Sequence, residues 1–123
     1  MKLTNTLSGK KELLPKPEKG KPLRIFVCGP TVYDFLHIGN ARTYLVFDTF
    51  VKYLRSQKIK VKYLQNITDI DDKIIKRAQG EKVTPKTIAK RYKKIYFNSM
   101  KRLGITAVDI YAPATKYIPQ IIK

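Results

Sequence analysis

The stretch from Leu23 to Cys28 is an almost continuous run of β-favouring apolar residues, and it stops at Gly29-Pro30. A short apolar run bounded by turn residues is typical of a strand that is buried on both faces of a parallel sheet. The sequence therefore predicts a parallel sheet in which this segment is the central strand.

The residues after this strand complete a crossover unit. From about His37 to Arg55, apolar residues recur at spacings that fill a wide helical face, which predicts a largely buried helix. A second β-favouring segment, Lys60 to Asn66, follows a short polar turn. Strand, helix and strand in this order form a right-handed unit with parallel strands, which is half of a nucleotide-binding sheet. The predicted fold class is α/β.

The flanking segments have different compositions. Residues 1–22 are rich in Lys, Pro and Gly, which favours extended, solvated backbone and predicts a peripheral basic arm. Residues 67–78 predict a loop that enters a short helix ending at Gly80, and Thr84-Pro85 supplies an N-cap and a first-turn proline for a longer helix. Within that longer helix Tyr92 and Tyr96 fall on the apolar face, so we expect both in the core.

Charge and cysteine content narrow the function classes. The chain carries 26 Lys and Arg against 9 Asp and Glu, a formal net charge of +17, which favours anionic partners. The single cysteine excludes an internal disulfide, and no run of about 18 apolar residues is present to span a membrane. These features predict a cytoplasmic protein without a membrane partner.

The densest set of chemically capable residues lies between the first strand and the helix that follows. Ligands of open α/β sheets bind beyond the carboxyl ends of the strands, and a helix N-terminus offers free N–H groups to phosphate. His37 and Asn40 could donate hydrogen bonds there, and Gly39 would allow close backbone approach. The alternative is that His37 and Asn40 only cap the helix.

Three blocks follow one another along the chain: Cys-Gly-Pro-Thr-Val-Tyr-Asp at 28–34, His-Ile-Gly-Asn-Ala-Arg at 37–42 and Asn-Ile-Thr-Asp-Ile-Asp-Asp-Lys-Ile-Ile at 66–75. In this order they resemble the N-terminal, active-site half of the cysteinyl-tRNA synthetases, a class I family. The resemblance implies a Rossmann-like sheet in residues 23–123, with the chain ending before the family's connective insertion. It also implies ATP-dependent formation of cysteinyl adenylate and transfer of cysteine to the terminal adenosine of tRNA(Cys).

The same resemblance assigns roles to individual residues. ATP, accompanied by Mg²⁺, is expected at His37, Gly39 and Asn40, with His37 and Asn40 steadying the transition state. Asn40 departs from the second His often found in the wider class I signature, and it keeps a donor that cannot become cationic.

The resemblance makes Cys28 one ligand of a zinc ion that selects the substrate thiolate over a serine hydroxyl. Soft thiolates bind zinc strongly, so coordination chemistry could supply this discrimination. We expect the remaining zinc ligands beyond residue 123. The family pattern places Gly29, Thr31 and Thr68 in the pocket for cysteine.

Two further features leave alternatives open. The acids Asp69, Asp71 and Asp72 could bind magnesium, although carboxylates at a first helical turn are favoured by capping and by the helix dipole. The lysine-rich helix from Thr84 to Leu103 is either a solvated face or a surface for tRNA phosphates.

Two other functions fit the same residues. A mycothiol-type cysteine ligase would activate cysteine identically and pass it to an aminosugar amine. A non-catalytic RNA-binding protein derived from a synthetase would use only the positive charge. Because the other zinc ligands and the second-half signature loop are missing, we expect residues 1–123 alone not to aminoacylate tRNA.

Overall fold

A computed structural model describes residues 1–122 of the chain, and Lys123 lies outside the described residues. Apart from a short 3₁₀ turn at Ala114–Lys116, the elements in chain order are β1 (Lys2–Asn5), β2 (Lys10–Leu13), β3 (Leu23–Val27), α1 (Ile38–Ser56), β4 (Val61–Ile67), α2 (Asp72–Gly80), α3 (Pro85–Arg102), β5 (Ile110–Pro113) and α4 (Ile118–Ile121).

Three parallel strands form the main sheet, in the order β3, β4, β5. β3 pairs with β4 from Leu23 opposite Val61 to Val27 opposite Gln65. An isolated parallel bridge between Thr31 and Thr68 extends this pairing past the strand ends. Helix α1 connects β3 to β4, so the predicted parallel α/β crossover is confirmed.

The prediction that β3 is the central strand was wrong. β4 lies between β3 and β5 in the described part of the chain. Burial of β3 on both faces was also wrong, because Arg24 is exposed and Phe26 is 63% exposed. Residues of α1, α2 and α3 pack in one cluster with Val27, Tyr63 and Ile67, which share one face of the sheet. An apolar run alone does not show which face is covered.

Helix α1 matches its predicted bounds but is less buried than predicted. Its buried residues form one stripe, which consists of Ala41, Tyr44, Asp48, Val51 and Leu54. Val46, on another face, is 59% exposed. A helix that packs on one side of a sheet buries only the stripe that faces the sheet, so the wide apolar face was not a guide to complete burial.

Helices α2 and α3 follow their predicted capping signals. Asp71 caps α2 by accepting a hydrogen bond from the Lys73 N–H at 2.8 Å. Thr84 caps α3 by accepting from the Thr87 N–H at 3.2 Å. Tyr92 and Tyr96 are 4% and 3% exposed, which confirms their place in the core.

The N-terminal hairpin and β5 were not predicted, and neither was the short helix α4. Within the basic arm, β1 and β2 form an antiparallel hairpin in which every strand residue is exposed. The Asn5 side chain accepts from the Leu7 N–H at 3.0 Å, and Gly9 adopts φ +67°, so local turn chemistry closes the hairpin despite its polar sequence. β5 is a short strand that ends in Pro113. It was not recognisable from its sequence, and it forms a strand because it pairs with β4.

None of the helices in residues 1–122 is long and apolar enough to cross a membrane.

Candidate functional site

A cavity of about 400 Å³ lies beyond the carboxyl end of β3, beside the N-terminus of α1. It is lined by residues 28–37, by Asn40, Thr43 and Tyr44 of α1, by Lys73 of α2 and by Tyr96 of α3. The structure thus brings five of the predicted site residues to one cavity: Cys28, Gly29, Thr31, His37 and Asn40. Gly39 and Thr68 do not line it, although each contacts the residues that do.

The loop after β3 lies directly against the backbone at the end of β4. The Gly29 N–H donates to the Asn66 side-chain oxygen at 2.7 Å. A Cβ at position 29 would lie 1.6 Å from the Asn66 carbonyl oxygen and 3.1 Å from the Gln65 side chain. Only glycine fits this approach, so Gly29 sets how close the two strand ends lie.

Thr68 is held beside Thr31 by reciprocal backbone hydrogen bonds. The Val32 N–H donates to the Thr68 carbonyl at 3.1 Å, and the Thr68 N–H donates to the Pro30 carbonyl at 3.0 Å. The Asn66 amide donates to the Thr68 hydroxyl oxygen at 3.3 Å. This contact uses the hydroxyl as an acceptor, which leaves its proton available to a ligand.

His37 is the N-cap of α1. Its Nδ1 accepts a hydrogen bond from the Gly39 N–H at 3.1 Å, which confirms that it caps the helix. An accepting Nδ1 needs a free lone pair, so the neutral ring carries its proton on Nε2. The exposed ring therefore both caps the helix and presents an N–H donor. Capping and ligand binding are compatible rather than alternative roles.

Cys28 is a free, exposed thiol at the edge of the cavity. A protein zinc site needs three or four protein ligands. Across residues 1–122, no group of three or more His, Cys, Asp or Glu side chains comes together in a way that could hold a metal ion. These described residues therefore do not form a zinc site by themselves.

The acids after β4 serve structural purposes. Asp71 caps α2, and Asp69 accepts from the Thr115 N–H at 3.0 Å and from the Thr115 hydroxyl at 2.7 Å. Asp69 thereby ties the end of β4 to the segment after β5. The capping interpretation of this acidic group is confirmed for Asp71.

A cation and its aromatic neighbour complete one wall. Lys73 lies in the first turn of α2, and its ammonium group is 5.5 Å from the centroid of the Tyr33 ring. Asp34 in the same loop forms an ion pair with Arg77 at 3.0 Å. The loop is therefore held against α2, and Lys73 is placed where it can contact an anion in the cavity.

The floor of the cavity is made of buried phenols. Burial, with a smaller contribution from the nearby Cys28 side chain, raises the pKa of Tyr44 to about 12. Tyr96 donates its hydroxyl proton to the buried Gln65 side-chain oxygen at 2.7 Å. Burial also raises the pKa of Tyr96. Both phenols stay neutral at physiological pH and act as hydrogen-bonding, not ionic, groups.

Sequence reasoning missed several residues that shape this site. Asn66, which bonds both Gly29 and Thr68, was part of a recognised block but had no assigned role. Lys73 lies two positions after an N-cap, where a cation is unusual because the helix dipole disfavours it, and that position was an available signal. Tyr96 is far away in sequence, and its apolar spacing indicated only a core residue.

Solved structures share the fold of this chain. Two solved structures of Mycobacterium tuberculosis methionyl-tRNA synthetase with methionyl-adenylate superpose with a TM-score of 0.72 at 20% identity. They cover 77% of this chain, which covers 19% and 18% of theirs. At this identity the match defines a fold class, and the class is the Rossmann-like α/β fold of the class I synthetases.

Sequence relatives define the family. The model of the class I (C) tRNA synthetase catalytic domain matches residues 15–123. Relatives named cysteine–tRNA ligase match the whole chain at 50% identity in Thermodesulfovibrio yellowstonii, 46% in Pyrococcus abyssi and 45% in Coxiella burnetii. The chain spans 25 to 27% of the length of these relatives. It belongs to the class I (C) tRNA synthetase catalytic domain family.

Proposed function

We propose that this chain supplies the N-terminal part of the site at which a cysteine–tRNA ligase joins cysteine to ATP and then to tRNA(Cys). One observation carries the proposal. Cys28, His37 and Asn40 line a single cavity at the carboxyl end of a parallel strand, in a chain whose relatives are named for this activity.

ATP would bind across the N-terminus of α1. The helix contributes free N–H groups and a partial positive charge, and the His37 Nε2–H and the Asn40 amide contribute directed donors. Gly39 allows a phosphate to approach the first helical turn, since it has no side chain. Lys73 lies across the cavity and could compensate for the cation that Asn40 cannot provide.

The chemistry needs positioning and charge stabilisation rather than a covalent nucleophile from the protein. The cysteine carboxylate attacks the α-phosphate of ATP, a new oxygen–phosphorus bond forms, and pyrophosphate leaves. Donors aimed at the phosphate oxygens are most effective when negative charge builds up in the transition state. His37 and Asn40 are the proposed donors.

Cysteine would bind where the ends of β3 and β4 meet. The Thr68 hydroxyl retains its proton for the substrate carboxylate, and Gly29 and Thr31 form the adjoining backbone wall. Cys28 is the proposed thiolate ligand from this chain to a zinc ion, with further ligands from the part of the ligases that residues 1–123 do not span. Zinc would favour the thiolate of cysteine over the hydroxyl of serine.

The acceptor is the point at which the candidate enzymes differ. A mycothiol-type ligase would use an aminosugar amine, whereas the relatives of this chain are named for tRNA. The names of the relatives support tRNA(Cys) as the acceptor.

A chimaera tests this proposal. Residues 1–123 replace the matching segment of the Thermodesulfovibrio yellowstonii cysteine–tRNA ligase, to which the chain is 50% identical. We expect cysteine-dependent exchange of pyrophosphate into ATP and formation of cysteinyl-tRNA.

His37→Asn keeps a good helix cap, and we expect it to lower the exchange rate by about 100-fold. Cys28→Ala should lower bound zinc and raise the KM for cysteine.

Gln57→Ala, at the opposite end of α1, is the matched control and should leave both reactions unchanged. A folded chimaera that exchanges pyrophosphate equally well with and without His37 would refute the assignment of that residue. A folded chimaera with no cysteine-dependent exchange would refute the proposed function.

A further inference from the structure

Four lysines of α3 form a straight exposed line, here named the lysine stripe. The stripe comprises Lys86, Lys90, Lys94 and Lys101. At 100° per residue these positions fall within about 80° of one another around the helix, and they span about 22 Å along its axis. All four side chains are exposed. The stripe contains no residue of the cavity described above.

Within residues 1–122 the lysine stripe has no acidic partner. In residues 1–122 the ion pairs of the chain involve other cations, namely Lys21, Lys52, Arg55, Arg77 and Arg91. The sequence has no acid between Glu81 and Asp109, so no acidic residue lies on α3 itself. Like charges one turn apart repel each other in a helix. An external anion would relieve this repulsion.

The other residues of α3 limit which kind of molecule can supply that anion. The opposite face is buried in the core through Ile88, Tyr92, Tyr96 and Met100, so the helix has no free apolar face to insert into a lipid surface. Phe97 lies within the stripe, between Lys94 and Lys101, and is 36% exposed, and its ring makes an edge contact with Tyr111 at 4.9 Å between centroids. Tyr92 and Tyr96 are buried, so α3 does not present a row of exposed rings on which successive bases could stack.

We propose that the lysine stripe binds the phosphate backbone of a double-stranded RNA stem. A line of flexible ammonium groups matches a line of phosphates, and it requires neither base contacts nor a particular sequence. RNA recognition of this kind depends on the shape and charge of the helix. The choice of RNA rests on the proposed function, whereas the phosphate chemistry rests on the stripe alone.

A pair of charge-matched variants tests the proposal. The stripe variant carries Lys86→Gln, Lys90→Gln, Lys94→Gln and Lys101→Gln. The control variant carries Lys10→Gln, Lys11→Gln, Lys16→Gln and Lys19→Gln, all exposed positions of the N-terminal arm. Both lose four charges, and Gln keeps the helical propensity of Lys. Circular dichroism checks that each variant is folded.

Binding of a labelled RNA hairpin is measured by fluorescence anisotropy across a salt series. We expect the stripe variant to lower the slope of log affinity against log salt by about 3, and the control to change it by less than about 1. Equal losses in the two variants would overturn the proposal, because they would show a response to net charge alone. Stripe-independent binding, or tighter binding of a single-stranded RNA, would also overturn it.

The wild-type chain and Gln57→Ala are compared in the same assay. Equal RNA binding by the two is expected, since Gln57 lies outside the stripe. This assay does not depend on the chimaera, so a failed chimaera with intact stripe-dependent RNA binding would refute only the proposed function.

Discussion

The loop that follows β3 and the lysine stripe on α3 both carry proposed functions, but they tolerate change very differently. In the loop, the Gly29 backbone is wedged against Asn66, and hydrogen bonds across the strand ends hold Thr31 beside Thr68. On the stripe, each lysine extends into solvent with no ion pair in residues 1–122.

The difference shows two ways in which a sequence encodes a site. In the loop, the residues determine where each atom lies, because atoms packed at van der Waals distance leave no room for another side chain. On the stripe, the residues determine only the charge and its spacing, because long solvated side chains adapt to their partner. Substitutions should therefore affect stability strongly in the loop and binding, rather than stability, on the stripe.

The largest expected effect is that of Gly29→Ala. A Cβ 1.6 Å from the Asn66 carbonyl oxygen forces the ends of β3 and β4 apart, because a backbone carbonyl in a paired strand cannot rotate away. We expect a loss of about 3 kcal/mol in the free energy of unfolding, measured by urea denaturation.

The matched control is Gly80→Ala at the end of α2. No atom lies within 4 Å of the added Cβ there, and the backbone conformation suits any residue. We expect this variant to be neutral or stabilised by about 0.5 kcal/mol. If the two glycine variants were equally stable, the loop after β3 would not be held tightly against Asn66, and the contrast with the lysine stripe would fail.

An intermediate loss of stability is expected when Asp48 is replaced, because its carboxylate is held in place by hydrogen bonds and an ion pair. Its carboxylate is buried and accepts from the Thr106 and Ala107 N–H groups at 2.8 and 2.7 Å, and it forms an ion pair with Lys52. Burial raises the pKa of this carboxyl, but the Lys52 ammonium and the two N–H groups outweigh burial and hold the pKa below its ordinary value of 3.8.

Because the pKa of Asp48 is lower in the folded state than in the unfolded chain, its contribution is present above about pH 4 and is lost as the pH falls through the folded-state value. We expect Asp48→Asn to lose about 2 kcal/mol at pH 7 and to show a flatter loss of stability in acid. Urea denaturation from pH 7 to pH 3 measures both.

The control is Asp72→Asn, which removes an exposed carboxylate of α2 and should change stability by less than about 1 kcal/mol. An unchanged acid slope in Asp48→Asn would contradict the assignment.

The smallest expected effect concerns the stripe. Lys90 lies one turn from Lys86, Lys93 and Lys94, so Lys90→Gln removes three repulsive pairs. We expect a gain of about 0.5 kcal/mol at low salt, which disappears in about 1 M salt, where the screening length falls to about 3 Å. Thermal unfolding at the two salt concentrations measures this. Lys11→Gln in β2 should show no such salt dependence, and a loss of stability in Lys90→Gln would show that this lysine has a partner.

The elements that were predicted correctly carry local signals. Thr84-Pro85 and Asp71 mark helix starts, and both act as expected because capping depends only on neighbouring residues. The hairpin of β1 and β2 was missed since Lys and Pro dominate the composition of the arm, whereas its turn rests on Asn5 and Gly9.

The residues of the candidate site also divide into those with a recognisable local sequence and those without one. The residues that line the cavity from the loop and from α1 are close together in sequence, so their motifs were recognisable. Tyr96 and Lys73 reach the cavity from two other helices. The spacing of Tyr96 indicated only a core residue, and the unusual position of Lys73 just after an N-cap was a signal that does not say what the side chain contacts. The roles of Cys28 in zinc binding and of His37 in catalysis stay predictions that the chimaera tests.

By itself, the sequence determined the order of strand and helix, the caps, the charge and the motif blocks, because each depends on residues within a few positions of one another. The tertiary structure alone decided that β4 is central, that one face of β3 is left exposed, and that Asn66 joins the two strand ends. These depend on which distant segments pack together, and pairing free energies between distant segments leave no local pattern to read.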